Sequence, residues 1–202
     1  MADRLKDYRR RRASGGTPEP MGGRSSRKGP IFVVQEHKAT SHHFDFRLEV
    51  DGVLKSWAVP KGPSTDPRDK RLAMPTEDHP LDYADFEGVI PEDSYGAGAV
   101  IVWDRGRYDN ITEKGGRIQP IAEALEAGHA LVRLHGKKLR GGYVLQRVGH
   151  GDDARWLLIK MKGEGSDARR KPVSTEPESV LSGRTVDALE TAKHVTRERP
   201  ER

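Results

Sequence analysis

The stretch that decides the fold is "HHFDFRLEVDGVLKSWAV", residues 42–59. Apolar and polar residues alternate in each half, and Asp51-Gly52 separates the halves. Such alternation is typical of a strand with one buried face, and Asp-Gly between two strands favours a two-residue turn with positive φ. The sequence therefore predicts an antiparallel hairpin with strands at 43–50 and 53–59.

Further short segments with a period of two surround this hairpin and are bounded by turn residues. They predict strands at 31–36, 71–77, 99–104, 130–135, 142–148 and 155–161. One helix is predicted at 120–127, where Pro120 begins it and Gly128 can end it. We therefore expect an all-β, mainly antiparallel protein, a small closed or curled β-barrel of about eight strands with one short helix and flexible tails.

The two ends of the 202-residue chain differ in composition from its middle. Residues 1–29 hold nine Lys and Arg against three Asp and Glu and are rich in Gly, Pro and Ser, which predicts a basic flexible arm with a short helix near residues 5–12. Residues 163–202 hold eight charges of each sign and few large apolar residues, which predicts a disordered tail. One domain is expected between them, at 30–162.

Composition also limits the classes of function. The net charge of +5 comes from the arm, so composition supports nucleic-acid contact only there. Cysteine is absent, so any metal must be held by nitrogen and oxygen ligands. The amino terminus is charged and no run of eighteen apolar residues occurs, so secretion and membrane spanning lack support. We expect a cytoplasmic protein without membrane contact, and a monomer.

Polar residues on one face of the predicted hairpin indicate a metal site. A strand places His43, Asp45 and Arg47 on one face, and residues two apart lie about 6.6 Å from each other, so the imidazole and the carboxylate can reach one divalent cation. His37 can join them only if the chain turns back within 38–41. With that turn the site has three ligands and open positions. Without it, two surface histidines lie near a salt-bridged aspartate.

A second polar cluster lies in "EDHPLDYADFEG", residues 77–88. Its spacing is not informative: the cluster of Glu77, Asp78, His79, Asp82 and Tyr83 could supply a carboxylate behind a metal-bound histidine or proton donors to a phosphate, or it is a polar loop with a helical turn. Three cationic residues lie on or beside predicted strands: Arg47, Lys61 and Arg71. Each is expected to be an ordinary surface residue unless its side chain lies close to the metal site.

Three long motifs in this order resemble the 3′-phosphoesterase module of bacterial DNA ligase D. They are "FVVQEHKATSHHFDFRLEVDGVLKSWAVPKGPS" from residue 32, "EDHPLDYADFEGVIPEDSYGAGAVIVWDRG" from residue 77 and "WLLIKMK" from residue 156. The resemblance covers about residues 30–162. It implies a phosphoesterase β-barrel that uses Mn²⁺, or another divalent cation such as Co²⁺ or Zn²⁺, to process nucleic-acid 3′ ends in end-joining DNA repair.

The implied chemistry is removal of a 3′-terminal ribonucleoside by phosphodiester cleavage, followed by removal of the remaining 3′-phosphate. The implied partners are DNA 3′ ends, including ends with terminal ribonucleotides, and an end-joining ligase or a Ku-type protein in trans.

The resemblance also assigns roles to residues. It implies His37, His43 and Asp45 as metal ligands, Arg47, Lys61 and Arg71 as phosphate-contacting cations, Glu77, His79 and Tyr83 as the catalytic segment, Gln35 as a polar site residue and His42 as a bystander. The arm departs from the family pattern, because Ala13 and Ser14 follow Arg12 where an aspartate and an aromatic residue are usual. Pro75 also lies where an uninterrupted strand is usual.

Two other functions remain open at this point. His43 and Asp45 with His79 or His129 would also suit an Fe(II) oxygenase, since a His-x-Asp pair with a distant histidine occurs in that class. Alternatively, the protein is a non-catalytic repair adaptor that binds nucleic acid through its arm.

Overall fold

The computed structural model describes residues 3–13, 16–23, 29–149 and 154–197, with side chains described through residue 192. Its strands are β1 (Ile31–Lys38), β2 (His42–Val50), β3 (Val53–Val59), β4 (Lys70–Pro75), β5 (Gly88–Ile90), β6 (Gly98–Asn110), β7 (Glu113–Lys114), β8 (Arg117–Ile118), β9 (His129–Gly136), β10 (Arg140–Val148) and β11 (Arg155–Lys160). Its helices are α1 (Lys6–Arg11), α2 (Ile121–Ala127), α3 (Pro172–Thr175) and α4 (Val186–Arg197), with a 3₁₀-helix at Leu81–Asp85.

Eight of these strands close into an antiparallel barrel. The order is β1-β2-β3-β4-β11-β10-β9-β6, and β6 pairs back onto β1. Strand β5 extends the edge of β6, while β7 and β8 form a separate two-stranded hairpin. Closure removes the unpaired strand edges that an open sheet of this size would expose. The predicted closed barrel is confirmed.

The central hairpin forms as the sequence predicts. Val50 pairs with Val53, and Asp51 and Gly52 have φ values of 49° and 83°. The apolar residues of β2 then point into the barrel, where the main core packs around Phe44, Phe46, Trp57 and Trp103. The polar residues of β2 are left on the outer face, which positions the site described below.

Several elements differ in extent from the prediction. Strand β6 runs to Asn110, beyond the predicted end at 104, because it changes partner from β1 to β9 along its length. Strand β4 ends at Pro75, which lacks the N–H that a continuing ladder needs. The short strands β5, β7 and β8 were not predicted. Helix α2 is confirmed, with Gly128 at φ 83° as its C-cap.

The arm packs against the barrel, which differs from the expected flexible segment. The predicted short helix forms as α1, and Tyr8 on it is fully buried, with its hydroxyl donating to the carbonyl of Pro20 at 2.6 Å. A second core lies on the outer face of the barrel, where Tyr8 meets Leu54 and Tyr83. The arm therefore covers part of the strand face that carries the polar residues. Ser14 lies outside the described residues.

The C-terminal segment is also folded where the structure describes it, which differs from the predicted disordered tail. Trp103 donates from Nε1 to the carbonyl of Glu176 at 2.9 Å, and Arg170 forms a salt bridge of 2.7 Å with Glu176. Val186 at the start of α4 is buried against β6. Backbone carbonyls and charge pairs, together with apolar contacts of Val173, Val180 and Val186, hold this segment.

Among the helices of the described residues, none has both the length and the apolar character required to cross a lipid bilayer.

Candidate active site

The hairpin of β1 and β2 brings the predicted metal ligands to one face. Strand β1 ends at Lys38 and β2 begins at His42, so the chain turns back where the sequence required it to. In the resulting register His37 lies opposite His43, and Gln35 lies opposite Asp45. Cross-strand partners share a face, so the two imidazoles and the carboxylate converge on the outside of the barrel.

The three side chains form a cluster with the dimensions of a metal site. One ligand atom from each of His37, His43 and Asp45 lies within 4.8 Å of the others. His43 Nε2 is 3.6 Å and His37 Nδ1 is 3.9 Å from Asp45 Oδ2. His43 donates from Nδ1 to the carbonyl of Ser41 at 2.8 Å, which leaves the lone pair of a neutral ring on Nε2.

The donor set fits a divalent cation. Two imidazole nitrogens and one carboxylate oxygen suit Mn²⁺, Co²⁺ or Zn²⁺, and three protein ligands leave positions open for water or substrate. The imidazole Nε2 of His37 is buried without a hydrogen-bond partner in the described part of the chain.

Burial and charge set the protonation states of this cluster. Burial lowers the pKa of His37, although the charge of Asp45 opposes it. Burial also acts to lower the pKa of His43, but the hydrogen bond and charge of Asp45 outweigh it and raise that pKa. Burial acts to raise the pKa of Asp45, yet the Arg47 guanidinium and the two histidines hold it well below its usual range. Asp45 is therefore anionic at neutral pH, the charge state that a metal ligand requires.

Arg47 is held in one position beside the cluster and is almost fully buried. It donates from Nε to Gln35 at 2.9 Å, from Nη1 to the hydroxyl of Ser56 at 2.8 Å and from Nη2 to Asp45 at 3.1 Å. Its guanidinium carbon lies 5.0 Å from the centroid of the Tyr83 ring. A guanidinium fixed in this way is preorganised for an anion such as phosphate.

His79 faces Arg47 from a segment that is fixed by its backbone. Its amide and carbonyl exchange hydrogen bonds with Leu54 at 3.0 and 2.8 Å. Its Nδ1 lies 2.9 Å from the carbonyl oxygen of Glu77 and 3.0 Å from Nη1 of Arg47, and it can donate to the first or accept from the second, but not both. Burial and the charge of Arg47 lower the pKa of His79 far below its usual value, so its ring is neutral.

The arm supplies an opposite wall through buried ion pairs. Arg12 donates to Glu19 at 2.8 Å and to Glu77 at 3.3 Å. Glu19 also accepts a hydrogen bond of 3.0 Å from the hydroxyl of Tyr83. All of these side chains are nearly inaccessible to solvent. Burial raises the pKa of Tyr83 far above its usual value, so this hydroxyl keeps its proton.

Both walls enclose a cavity of about 240 Å³. The predicted site residues that line it are His37, His43, Asp45, Arg47, Glu77, His79 and Tyr83. Lys61 and Arg71 line a separate cavity of about 370 Å³, in which Arg71 donates to Asp69 at 2.9 Å.

Other predicted or alternative ligands fall outside the cluster. His42 is exposed and pairs with Glu36 at 2.8 Å, away from the cavity lining. His129 is exposed on β9, where it contacts Gln146 at 2.6 Å, and Nδ1 of His79 lies 3.0 Å from Nη1 of Arg47. Neither His79 nor His129, the two candidates for the third ligand of an oxygenase, belongs to the cluster of His43 and Asp45.

Sequence reasoning missed some contributors to the site. Ser56 was not considered, although the register of the predicted hairpin places it directly opposite Arg47. Arg12 and Glu19 were not predicted to pair with Glu77 and Tyr83, because no local pattern indicates a pairing with residues more than sixty positions away. Tyr95 and Gly96 also line the cavity, from the loop that precedes β6, and were not identified as site residues from the sequence.

Comparisons with known proteins show the family to which this chain is similar in sequence. The model of a family described as the DNA ligase D 3′-phosphoesterase domain matches residues 35–147. The chain is 50% identical over 189 residues to the multifunctional non-homologous end joining protein LigD of Pseudomonas aeruginosa, covering 90% of this chain and 22% of that protein. It is 48% identical over 166 residues to the multifunctional non-homologous end joining DNA repair protein LigD of Mycobacterium tuberculosis, covering 81% and 20%. The chain thus spans about a fifth of the length of these relatives.

Proposed function

Since the chain belongs to the DNA ligase D 3′-phosphoesterase domain family, we propose that it is a divalent-metal-dependent enzyme that removes ribonucleosides and phosphate from nucleic-acid 3′ ends. The observation that carries the proposal is one cavity in which a His, His, Asp cluster adjoins a fixed, buried arginine. Membership in the family supports end processing in non-homologous end joining. The metal, the two activities and the substrate are proposals.

The scissile phosphate would lie between the metal cluster and Arg47. A guanidinium has five N–H groups, and Gln35, Ser56 and Asp45 accept from three of them. When His79 donates from Nδ1 to the carbonyl of Glu77, one further N–H group remains on Nη1 and one on Nη2, and this pair can form a fork for two phosphate oxygens. Asp45 accepts from Arg47 and is also one of the residues that would hold the metal, so it would lie between the two positive centres.

Each reaction is a hydrolysis at phosphorus. An oxygen of water forms a bond to phosphorus while the bond from phosphorus to the leaving oxygen breaks, and that oxygen takes up a proton. A bound divalent cation would polarise a phosphoryl oxygen or lower the pKa of a bound water. In the first reaction the leaving oxygen is the 5′ oxygen of the terminal ribonucleoside, and in the second it is the 3′ oxygen of the shortened strand.

The residues of the opposite wall orient and shield the phosphate. Tyr83 lines the cavity with a protonated hydroxyl that donates to Glu19, and a phosphate oxygen could accept this proton only in place of Glu19. His79 is neutral and contacts Arg47, so it keeps the guanidinium in place without adding positive charge. Glu77 joins the arm to this segment through Arg11 at 3.0 Å and Arg12 at 3.3 Å.

We further propose that Lys61 and Arg71 contact phosphates of the strand away from its 3′ end. They share a cavity on the β3 and β4 side of the barrel, outside the cavity of the metal cluster. Cations that position the backbone add affinity without reading sequence. An end-joining ligase or a Ku-type protein acting in trans, a cytoplasmic location and a monomeric state stay predictions from the sequence.

The test is an end-processing assay with the full chain. One primer–template carries a single 3′-terminal ribonucleotide and another carries a 3′-phosphate. With Mn²⁺ we expect the first to lose its terminal nucleoside and then the 3′-phosphate, and the second to gain a 3′-hydroxyl. Added EDTA should stop both reactions. Unchanged primers in the presence of Mn²⁺, Co²⁺ and Zn²⁺ would rule out the proposed function.

A further inference from the structure

An exposed aromatic side chain lies at the rim of the catalytic cavity. Seven large hydrophobic side chains are exposed among the described residues, and Tyr95 is the one of them that lines this cavity. Its side chain is 48% exposed. The chemistry proposed above gives this ring no role, because Tyr83 supplies the phenolic hydroxyl inside the cavity.

The loop that carries Tyr95 is held close to a metal ligand. Gly98 ends the loop so close to β1 that a Cβ there would lie 2.2 Å from the carbonyl oxygen of Lys38, so only glycine fits. A Cβ on Gly96 would lie 3.9 Å from Cε1 of His37. The backbone next to Tyr95 therefore lies beside His37, and Tyr95 lines the same cavity as the cluster.

The ring itself is held by the arm. The guanidinium carbon of Arg11 lies 4.7 Å from the centroid of the Tyr95 ring, and the same guanidinium donates to the Tyr95 hydroxyl and to Glu77. Such contacts restrict the ring before any ligand binds, which reduces the entropy that binding costs. The ring is thus held in place by the arm, while about half of the residue stays exposed to solvent.

The two sides of the metal cluster differ in chemistry. In the sheet order β6-β1-β2-β3-β4, the cluster on β1 and β2 lies between the Tyr95 loop, which leads into β6, and the cavity of Lys61 and Arg71 at β3 and β4. The cations Lys61 and Arg71 suit a strand that carries further phosphates. An aromatic ring suits the one part of a 3′ end that carries no further phosphate, which is its terminal nucleoside.

We infer that Tyr95 forms a stacking site for the base of the terminal nucleoside that phosphodiester cleavage releases. This inference rests on the proposed function and names the subsite that binds the leaving nucleoside. Every base presents a π face, so a single tyrosine ring would accept all four bases without reading sequence. The 3′-phosphomonoester carries no leaving nucleoside, so Tyr95 would not contribute to its hydrolysis.

The experiment compares three substrates: a primer with a 3′-terminal adenosine, the same primer with an abasic ribose analogue at that position, and a primer with a 3′-phosphate. The wild type should process the adenosine end with a kcat/KM about tenfold above that of the abasic end, within the range of one stacking contact. Tyr95→Ala should lose about tenfold on the adenosine end and stay within about twofold on the other two. Tyr95→Phe, which keeps the ring, and Ile118→Ala, an exposed control on β8, should match the wild type.

Other outcomes would overturn the inference. An equal loss on all three substrates would make Tyr95 a structural support of the loop, and no loss on the adenosine end would show that the ring does not contact the base. Equal wild-type rates on the adenosine and abasic ends would also contradict it. Inactivity of the wild type on every substrate would overturn the proposed function and this inference together. An active wild type with an unaffected Tyr95→Ala variant would overturn the inference alone.

Discussion

The two walls of the cavity at the candidate active site are built by different forces. The strand wall of β1 and β2 carries the proposed metal ligands and Arg47 within one hairpin, where neighbouring strands fix each side chain. The opposite wall comes from the arm and residues 76–96, and buried ion pairs such as Arg12 with Glu77 hold it. We therefore expect residues of the strand wall to carry the chemistry, and residues of the opposite wall to stabilise the fold and shape the cavity.

The largest effect is expected on the strand wall. His43→Ala removes one of the three proposed ligands, and metal-dependent removal of a 3′-phosphate should fall roughly a thousandfold, equivalent to about 4 kcal/mol of transition-state stabilisation. The melting temperature should change little, because His43 is only partly buried at the surface of β2. Steady-state kinetics with Mn²⁺ and a thermal melt measure the two quantities.

His42→Ala is the matched control, since it alters the adjacent histidine outside the cavity lining. It should keep activity within about threefold of the wild type, the scale expected of a surface substitution. Similar losses in both variants would contradict the assignment of His43.

A large stability effect is expected on the opposite wall. Arg12→Ala would leave Glu19 and Glu77 buried with a lost partner, and breaking such a pair costs about 3 kcal/mol. Urea unfolding of the wild type and the variant measures this free energy. Arg12→Lys, which keeps the charge, should lose less. A free energy of unfolding unchanged in Arg12→Ala would show that the arm does not hold this wall.

The pH dependence of stability gives a smaller effect on the same wall. Burial keeps His79 neutral in the folded state, while the unfolded chain takes up a proton near pH 6.5. The folded state is therefore favoured above pH 6.5, and this contribution is lost as pH falls, by about 1 kcal/mol between pH 6.5 and 5.5.

Urea unfolding of the wild type and His79→Gln at pH 7 and pH 5.5 checks this slope. Other titrating groups are common to both proteins and cancel in the difference. The wild type should lose more stability on acidification than the variant, and parallel pH profiles would refute the assignment of a buried neutral His79.

The smallest effect is expected outside both walls. Lys61→Ala should weaken binding of a 3′-recessed duplex by about threefold and reduce the slope of log affinity against log salt by about one. Fluorescence anisotropy at several salt concentrations, with Lys114→Ala on the separate β7 and β8 hairpin as control, measures both quantities. If the slope of log affinity against log salt is unchanged in Lys61→Ala, Lys61 does not contact a phosphate of the bound strand.

Sequence alone placed much of the strand wall correctly. Strand alternation separated Asp45 and Arg47 from the aromatic core residues, and the extended length of the chain showed that His37 required a turn near residue 40. The same reasoning, applied to the predicted hairpin register, would have found Ser56. These features follow from the period of two and from one tight turn, which are local properties.

The opposite wall and the C-terminal segment could not be predicted in this way. Arg12 meets Glu77 across 65 positions, and no periodicity marks such a pair. The segment after residue 163 has balanced charge, which suggested disorder, yet Lys138 and Trp103 bind the backbone carbonyl of Glu176. Amino-acid composition gives no information about contacts that are made by backbone atoms. The roles of Glu77, His79 and Tyr83 came from resemblance rather than from spacing.

The most direct test of the central claim is a titration of the full chain with Mn²⁺, followed by the loss of the free-ion electron paramagnetic resonance signal. The account predicts one tightly bound ion per chain in the wild type and in His42→Ala, and loss of that binding in His43→Ala and Asp45→Asn. Equal Mn²⁺ binding by all four proteins, or none by the wild type, would contradict a metal site on the strand wall.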